Sequence, residues 1–326
     1  MMVLYVFNPE HDLALSANLS NFTSPRAGRM VRARFGHLPA LWAVESGYVL
    51  VDDVEEAERR YQELRSLPFG RFLTKDQLCR YHFDAVDVWG WDRAIRAFLL
   101  RHGVDPSIMP TDEELDVIRE LSHRRHAAEL LSHLQVPGTT GCAFEVGNIA
   151  GIQQKLDEFG QIVIKAPWSS SGRGVRFVEG QLSDNLMGWL HNIISTQGSV
   201  MVEPYYYNKV KDFGMEFESD GKGKVTYLGL SLFETNNGAY IRNVVASEEE
   251  KLKVISRYVS AELLHQVQSR ICSLLGAAYQ DKYKGPLGVD MMVVASHDAG
   301  GYLLHPCVEI NLRRTMGHVA LAMSAP

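Results

Sequence analysis

Residues 161–178 read QIVIKAPWSSSGRGVRFV. Ile162, Val163 and Ile164 at one end, and Val175, Phe177 and Val178 at the other, have the β-branched and aromatic composition of two strands. Between them, Lys165 ends the first strand and Ser169, Ser170, Ser171, Gly172, Arg173 and Gly174 form a turn poor in bulky side chains. Such a hairpin brings several backbone N–H groups close to an anion, and Lys165 and Arg173 add positive charge on either side. This chemistry suits the phosphates of a nucleotide; a solvated surface hairpin is the plain alternative. The spacings of a P-loop and of a Rossmann fingerprint are both absent.

Downstream, residues 199–203 (SVMVE) read as a strand that Pro204 ends, followed by Tyr205, Tyr206 and Tyr207. A strand leaving into carbonyls and aromatic rings can hold an adenine, or can be an interdomain hinge. Residues 212–218, 224–233 and 239–245 read as antiparallel strands with Gly and Asn turns. Residues 247–275 read as one long helical region, with Leu252, Ile255, Val259, Val267 and Ile271 near helical spacing against that sheet. Two last strands, 288–294 (GVDMMVV) and 302–312, carry the sharpest signal. Asp290 stands in an apolar run, where a carboxylate needs a partner or a metal. Glu309 and Asn311 are two apart and so share one face of a strand, while Val308 and Ile310 take the other. Asp, Glu and an Asn amide oxygen form an all-oxygen set that suits Mg²⁺ bridging phosphates, with Arg313 and Arg314 directly after it. A half-exposed hairpin with Asp290 at an edge is the alternative.

Upstream, Thr111 and Glu114 fit a capping box. A helix over 122–134 puts His123, Arg124, Arg125 and His126 in its first turn, where cations oppose the helix dipole; a bound anion would explain them, as would a solvated helix start. Residues 3–7 read as a strand running into Asn8, Pro9, Glu10, His11 and Asp12. Ligands of α/β sheets gather beyond the carboxyl ends of strands, so this cluster either helps to bind a substrate or is a capping turn. Ser24 is the expected N-cap of a helix with Pro25 in its first position; Arg26 and Arg29 then share a face that is either an anion dock or solvated. Strands at 48–51 and 85–91 alternate with helices at 54–67 and 92–102, predicting a small sheet wrapped by helices.

At 326 residues the chain has room for two or three compact units. With 46% apolar and 22% charged residues it has the composition of a soluble globular protein, and its net charge of −6 argues against a general nucleic-acid binder. No apolar run approaches membrane-spanning length, and residues 2–7 are too short for a signal peptide. Cys79, Cys142, Cys272 and Cys307 are scattered without a CxxC pair, which predicts reduced thiols and a cytoplasmic location.

The order VIKAPWSSSGRGV, VMVEPY, DFGMEF, GVDMMV, VEINLRR resembles the ATP-grasp superfamily, which includes carboxylate–amine and carboxylate–thiol ligases. The match runs over roughly residues 122–316. The resemblance implies an α/β (α+β) protein: an N-terminal α/β domain over 1–115, a lid subdomain over 116–202 and a C-terminal subdomain over 203–326 with an antiparallel sheet and the metal site. It implies ATP and Mg²⁺ as cofactors. Lys165 would contact the phosphates under a mobile lid of Ser169–Gly174, with Glu203 and Tyr205 at the adenine hinge and Asp212 on the ribose. Asp290, Glu309 and Asn311 would bind Mg²⁺, and Arg313 or Arg314 would steady the transferring phosphate. The family's second nucleotide lysine has no lysine counterpart here; Arg124 and Arg125 stand in that region, and Arg125 has the closer spacing. The implied activity is an ADP-forming ligase working through an acyl phosphate on small carboxylate and amine (or thiol) substrates, with no nucleic-acid or membrane partner and a homodimer left open. A small-molecule kinase or a nucleotide-binding protein without turnover are the alternatives.

Overall fold

A computed structural model of the chain describes residues 1–169, 174–206, 208–236, 239–296 and 300–324. The chain divides into two compact units, residues 1–120 and 121–326.

In the first unit, the strands β1 (Val3–Val6), β2 (Tyr48–Leu50), β3 (Phe72–Leu73) and β4 (Ala85–Val88) form one parallel sheet in the order β3-β2-β1-β4. All four β1 residues are buried: Leu4 and Val6 join one apolar cluster with Leu73, Val88 and Leu99, and Val3 and Tyr5 join another with Val49 and Phe72. Burial on both faces is what a parallel sheet between helices requires. The helices are α1 (His11–Ala17), α2 (Arg26–Phe35), α3 (Val54–Arg65), α4 (Arg93–Arg101) and α5 (Asp112–Leu121). Asp53 caps α3 and Asp92 caps α4, each accepting a backbone N–H. The expected cap at Ser24 is corrected: Pro25 takes the N-cap position of α2, and the Ser24 hydroxyl donates to the Pro25 carbonyl instead. The Thr111–Glu114 capping box forms in both directions.

The second unit holds two antiparallel sheets. Strands β5 (Phe144–Val146), β6 (Gln161–Lys165), β7 (Val175–Glu179) and β8 (Val200–Pro204) run in the order β5-β8-β6-β7. Helices α7 (Ile149–Phe159) and α8 (Asp184–Gln197) cover this sheet, and Ile152, Leu156, Ile162, Ile164, Leu190 and Val202 make its core; α6 (Arg125–His133), which precedes them, packs mainly on the other sheet. The other sheet has the order β11-β10-β9-β12-β13, from β9 (Lys209–Asp220), β10 (Val225–Asn236), β11 (Ala239–Asn243), β12 (Lys284–Ser296) and β13 (Gly301–Asn311). Phe213, Met215 and Phe217 of β9 are buried, and the period of two turns Gly214 and Glu216 to the opposite face.

Two more helical expectations are corrected. The region 247–275 is two helices, α9 (Glu248–Ile255) and α10 (Ala261–Tyr279), because Ser260 accepts the Leu263 N–H and starts a new helix. Helix α6 starts at Arg125, not Ser122; Arg124 is its N-cap residue, so His123 and Arg124 are outside the first turn. A last helix, α11 (Met316–Ser324), follows β13 and packs on β9 and β10.

Candidate functional site

Lys165 closes β6 and Glu203 lies near the end of β8. The antiparallel register sets Glu203 opposite Val163, two residues from Lys165, so both side chains share a face. Lys165 Nζ lies 2.7 Å from both Glu203 carboxylate oxygens and 3.4 Å from the Val308 carbonyl of β13. Both charged side chains are 9% exposed. Lys165 therefore reaches from one sheet to the backbone of the other.

Arg124 makes a second link between the sheets. Its guanidinium donates to the Ala166 carbonyl (2.5 Å), the Ser169 hydroxyl (2.7 Å) and Glu309 Oε1 (2.6 Å). Arg125, which has the closer sequence spacing, lies with Nη2 3.6 Å from Glu145 of β5. The difference follows from where α6 begins: an N-cap residue and the first helical residue project in different directions.

The register of β12 with β13 pairs Asp290 with Glu309 and Gly288 with Asn311, which sets the three oxygen-bearing side chains on one face of adjacent strands. Asn311 donates to Asp290 Oδ2 at 3.1 Å, and Arg313 Nη2 donates to Asn311 Oδ1 at 2.9 Å. Arg313 also donates to the Arg314 carbonyl. Burial pushes the Asp290 carboxyl up to about 7, and the charges of Glu309 and Glu216 add to this, while the Asn311 hydrogen bond and Arg313 pull the other way.

Glu216 was not singled out in the sequence. It stands opposite Gly288 on β9, on the face that carries Asp290 and Asn311. It is 3% exposed, and His318 Nδ1 of α11 lies 3.0 Å from its Oε2. A Cβ on Gly317 would lie 1.8 Å from Glu216 Oε1, so only glycine lets α11 come this close. Its signal was in the sequence: a glutamate between Met215 and Phe217 is as isolated among apolar neighbours as Asp290. His305 of β13 was also passed over. It is fully buried, and burial followed by the Lys165 charge holds its imidazole down at about 3, so it is neutral.

The remaining sequence candidates are spread more widely. The Tyr205 ring packs edge-on against Phe177 of β7 at 5.3 Å, and Asp212 accepts from Lys209 at 2.6 Å. Ser169 holds Arg124, and the Gly174 carbonyl accepts the Ala166 N–H at 2.8 Å. Ser170, Ser171, Gly172 and Arg173 lie outside the described residues, and with them the expected lid.

Among the described residues, no group of three His, Cys, Asp or Glu side chains forms a metal cluster; the set here is two carboxylates and an amide. It fits Mg²⁺ in donor chemistry, since all its ligating atoms are oxygens. It fits in electrostatics as well, since burial first and the charges of Glu309 and Glu216 second disfavour the Asp290 carboxylate, and a divalent cation would offset both. Among the described residues no helix is long and apolar enough to cross a membrane.

No protein-family model matches the sequence, and no curated protein matches it. Solved structures do. The biotin carboxylase domain of the 2-oxoglutarate carboxylase of Hydrogenobacter thermophilus, crystallised with MgADP, ADP and bicarbonate, is 13% identical with a TM-score of 0.51, over 99% of this chain and 68% of that one. D-cycloserine synthetase is 12% identical with a TM-score of 0.50, over 99% of this chain and 97% of that one. At such identities the likeness establishes the fold.

Proposed function

Starting from a chain with the ATP-grasp fold, we propose an ADP-forming, Mg²⁺-dependent ligase that activates a small carboxylate as its acyl phosphate for attack by an amine or a thiol. The observation that carries this reading is the convergence of Asp290, Glu309 and Asn311 on one sheet face, with Arg124 and Arg313 bonded to members of the set. MgADP in the Hydrogenobacter thermophilus domain supports ATP and Mg²⁺ as the cofactors here.

The nucleotide would lie between the two sheets of the second unit, with 116–202 as the lid side and 203–326 as the metal side. Asp290, Glu309 and Asn311 would hold Mg²⁺, which when bound would neutralise charge on the phosphates. Lys165 and Arg124 would bind phosphate oxygens, Arg124 in the role that a second lysine has in the family; its planar fork suits two oxygens at once. Arg313, with Arg314 beside it, would orient the group being transferred. Glu203 would set the position of Lys165 through their ion pair, Tyr205 would border the adenine and Asp212 the ribose. All four cysteines are free thiols, which fits a reducing compartment such as the cytoplasm.

The test is product analysis over a panel of amino acids and small acids. ADP release that needs both an acid and an amine, with one free phosphate per ADP, is the expected result. ADP without free phosphate means phosphoryl transfer to a hydroxyl, and no ADP with any pair refutes turnover.

A further inference from the structure

The first unit carries a second polar cluster, built from the segment that reads NPEHD. In the order β3-β2-β1-β4, β2 and β3 lie on one side of β1 and β4 on the other. The chain thus changes direction across the sheet between β1 and β4, and ligands of open parallel sheets bind beyond the carboxyl ends of the strands at that switch. Asn8, Glu10 and His11 follow β1 there; Gly90 and Asp92 follow β4.

These residues form one network. Asp92 Oδ1 accepts the Ile95 N–H at 2.9 Å, while Oδ2 faces His11 Nδ1 at 3.0 Å and Asn8 Nδ2 at 3.3 Å. Asn8 also donates to the Gly90 carbonyl at 2.8 Å. Asn8, His11 and Asp92 are each at most 3% exposed. Asp92, an acceptor, puts the imidazole proton on Nδ1 and leaves Nε2 with a bare lone pair. That Nε2 is buried without a hydrogen-bond partner, and so is Glu10 Oε2. Buried polar atoms are seldom left so, and two in consecutive residues call for a ligand. Gly90 lies against the ring: a Cβ there would be 2.7 Å from His11 Nε2.

Both unpartnered atoms are acceptors, so the ligand must bring donors. The surrounding charge is negative. Glu10 has Arg32 at 3.1 Å on its other oxygen, yet its carboxyl is raised, first by burial, with Asp92 and Asp52 adding to the shift. Glu10 keeps 10% of its side chain in solvent against 1% for His11. We infer that the carboxyl end of β1 and β4 binds the ammonium group of a small primary amine, with His11 Nε2 and Glu10 Oε2 accepting its N–H groups. The site stands on the first unit alone.

The full-length protein is titrated with ethanolamine, acetate and Zn²⁺ separately, read by calorimetry and by the imidazole nitrogen resonances. Ethanolamine should shift the His11 signal saturably, and acetate should leave it in place. Glu10→Gln, a change at a partly exposed position, and His11→Gln should each weaken ethanolamine binding about tenfold or more, as expected for losing a hydrogen bond to a charged group. Lys165→Met and Glu309→Gln should leave that binding at its wild-type value, so a failed ligase reading would not disturb it. Absence of ethanolamine binding, equal binding by Glu10→Gln, or a His11 response to Zn²⁺ alone would overturn the proposal.

Discussion

Replacing Lys165 by methionine keeps the apolar stem and removes the cation lying 2.7 Å from both Glu203 oxygens. Glu203 is left charged and buried, with its side chain 9% exposed. Breaking a buried pair from one side costs about 3–5 kcal/mol. The lower figure is expected here, because Glu203 can take up a proton. Glu203→Gln, which strands Lys165, should likewise cost about 3 kcal/mol, and changing both residues only about 1 kcal/mol, so the cycle should give a coupling of roughly 5 kcal/mol. The assay is urea unfolding of the full chain. In the same variants calorimetry should show ATP affinity weakened by about 1–3 kcal/mol. A loss of stability under about 1 kcal/mol at pH 8, or additive single changes, would refute the pairing; unchanged ATP affinity would remove Lys165 from the nucleotide site.

On the proposed reading, Glu309→Gln should keep the fold by circular dichroism and abolish most ADP release, because it would remove ligand charge at constant size. On the proposed reading, with burial raising the Asp290 carboxyl to about 7, Mg²⁺ affinity measured by calorimetry should fall about tenfold per pH unit below that value, since a ligand must be deprotonated. The same raised carboxyl favours the fold below its unfolded pKa, and that contribution is lost as pH rises through 7; Asp290→Asn should therefore flatten the decline in melting temperature between about pH 4 and 8. Gly317→Ala places a methyl 1.8 Å from Glu216 Oε1 and should destabilise by roughly 3 kcal/mol or more in chemical denaturation, since a buried carboxylate cannot yield.

Much of the fold could be read locally. The period of two in β13 put Glu309 and Asn311 on one face, and the apolar neighbours of Asp290 marked it as unusual. What stayed hidden depends on register and on element boundaries. Lys165 and Glu203 drew separate roles in the sequence, phosphate and adenine, because nothing local says that β6 and β8 are neighbours. Spacing pointed to Arg125 over Arg124, because nothing local shows that α6 begins at Arg125 and leaves Arg124 as its N-cap. Glu216 carried the same signature as Asp290 but was read only as part of a strand. The long helix over 247–275 ran through Ser260 because its apolar spacing continues on both sides, and the competing cap won locally.

The ties made by Lys165 and Arg124 have a consequence for how ligands arrive. Both cations already hold partners within the protein, Glu203 and Glu309. On the proposed reading, phosphate oxygens drawing Arg124 away leave Glu309 without its counter-charge, and a divalent ion binding Glu309 displaces Arg124 towards a phosphate. Each ligand alone breaks a contact that the other replaces. Nucleotide and metal should therefore bind with positive thermodynamic linkage, each tightening the other by the same factor, through an exchange of counter-ions between the two sheets.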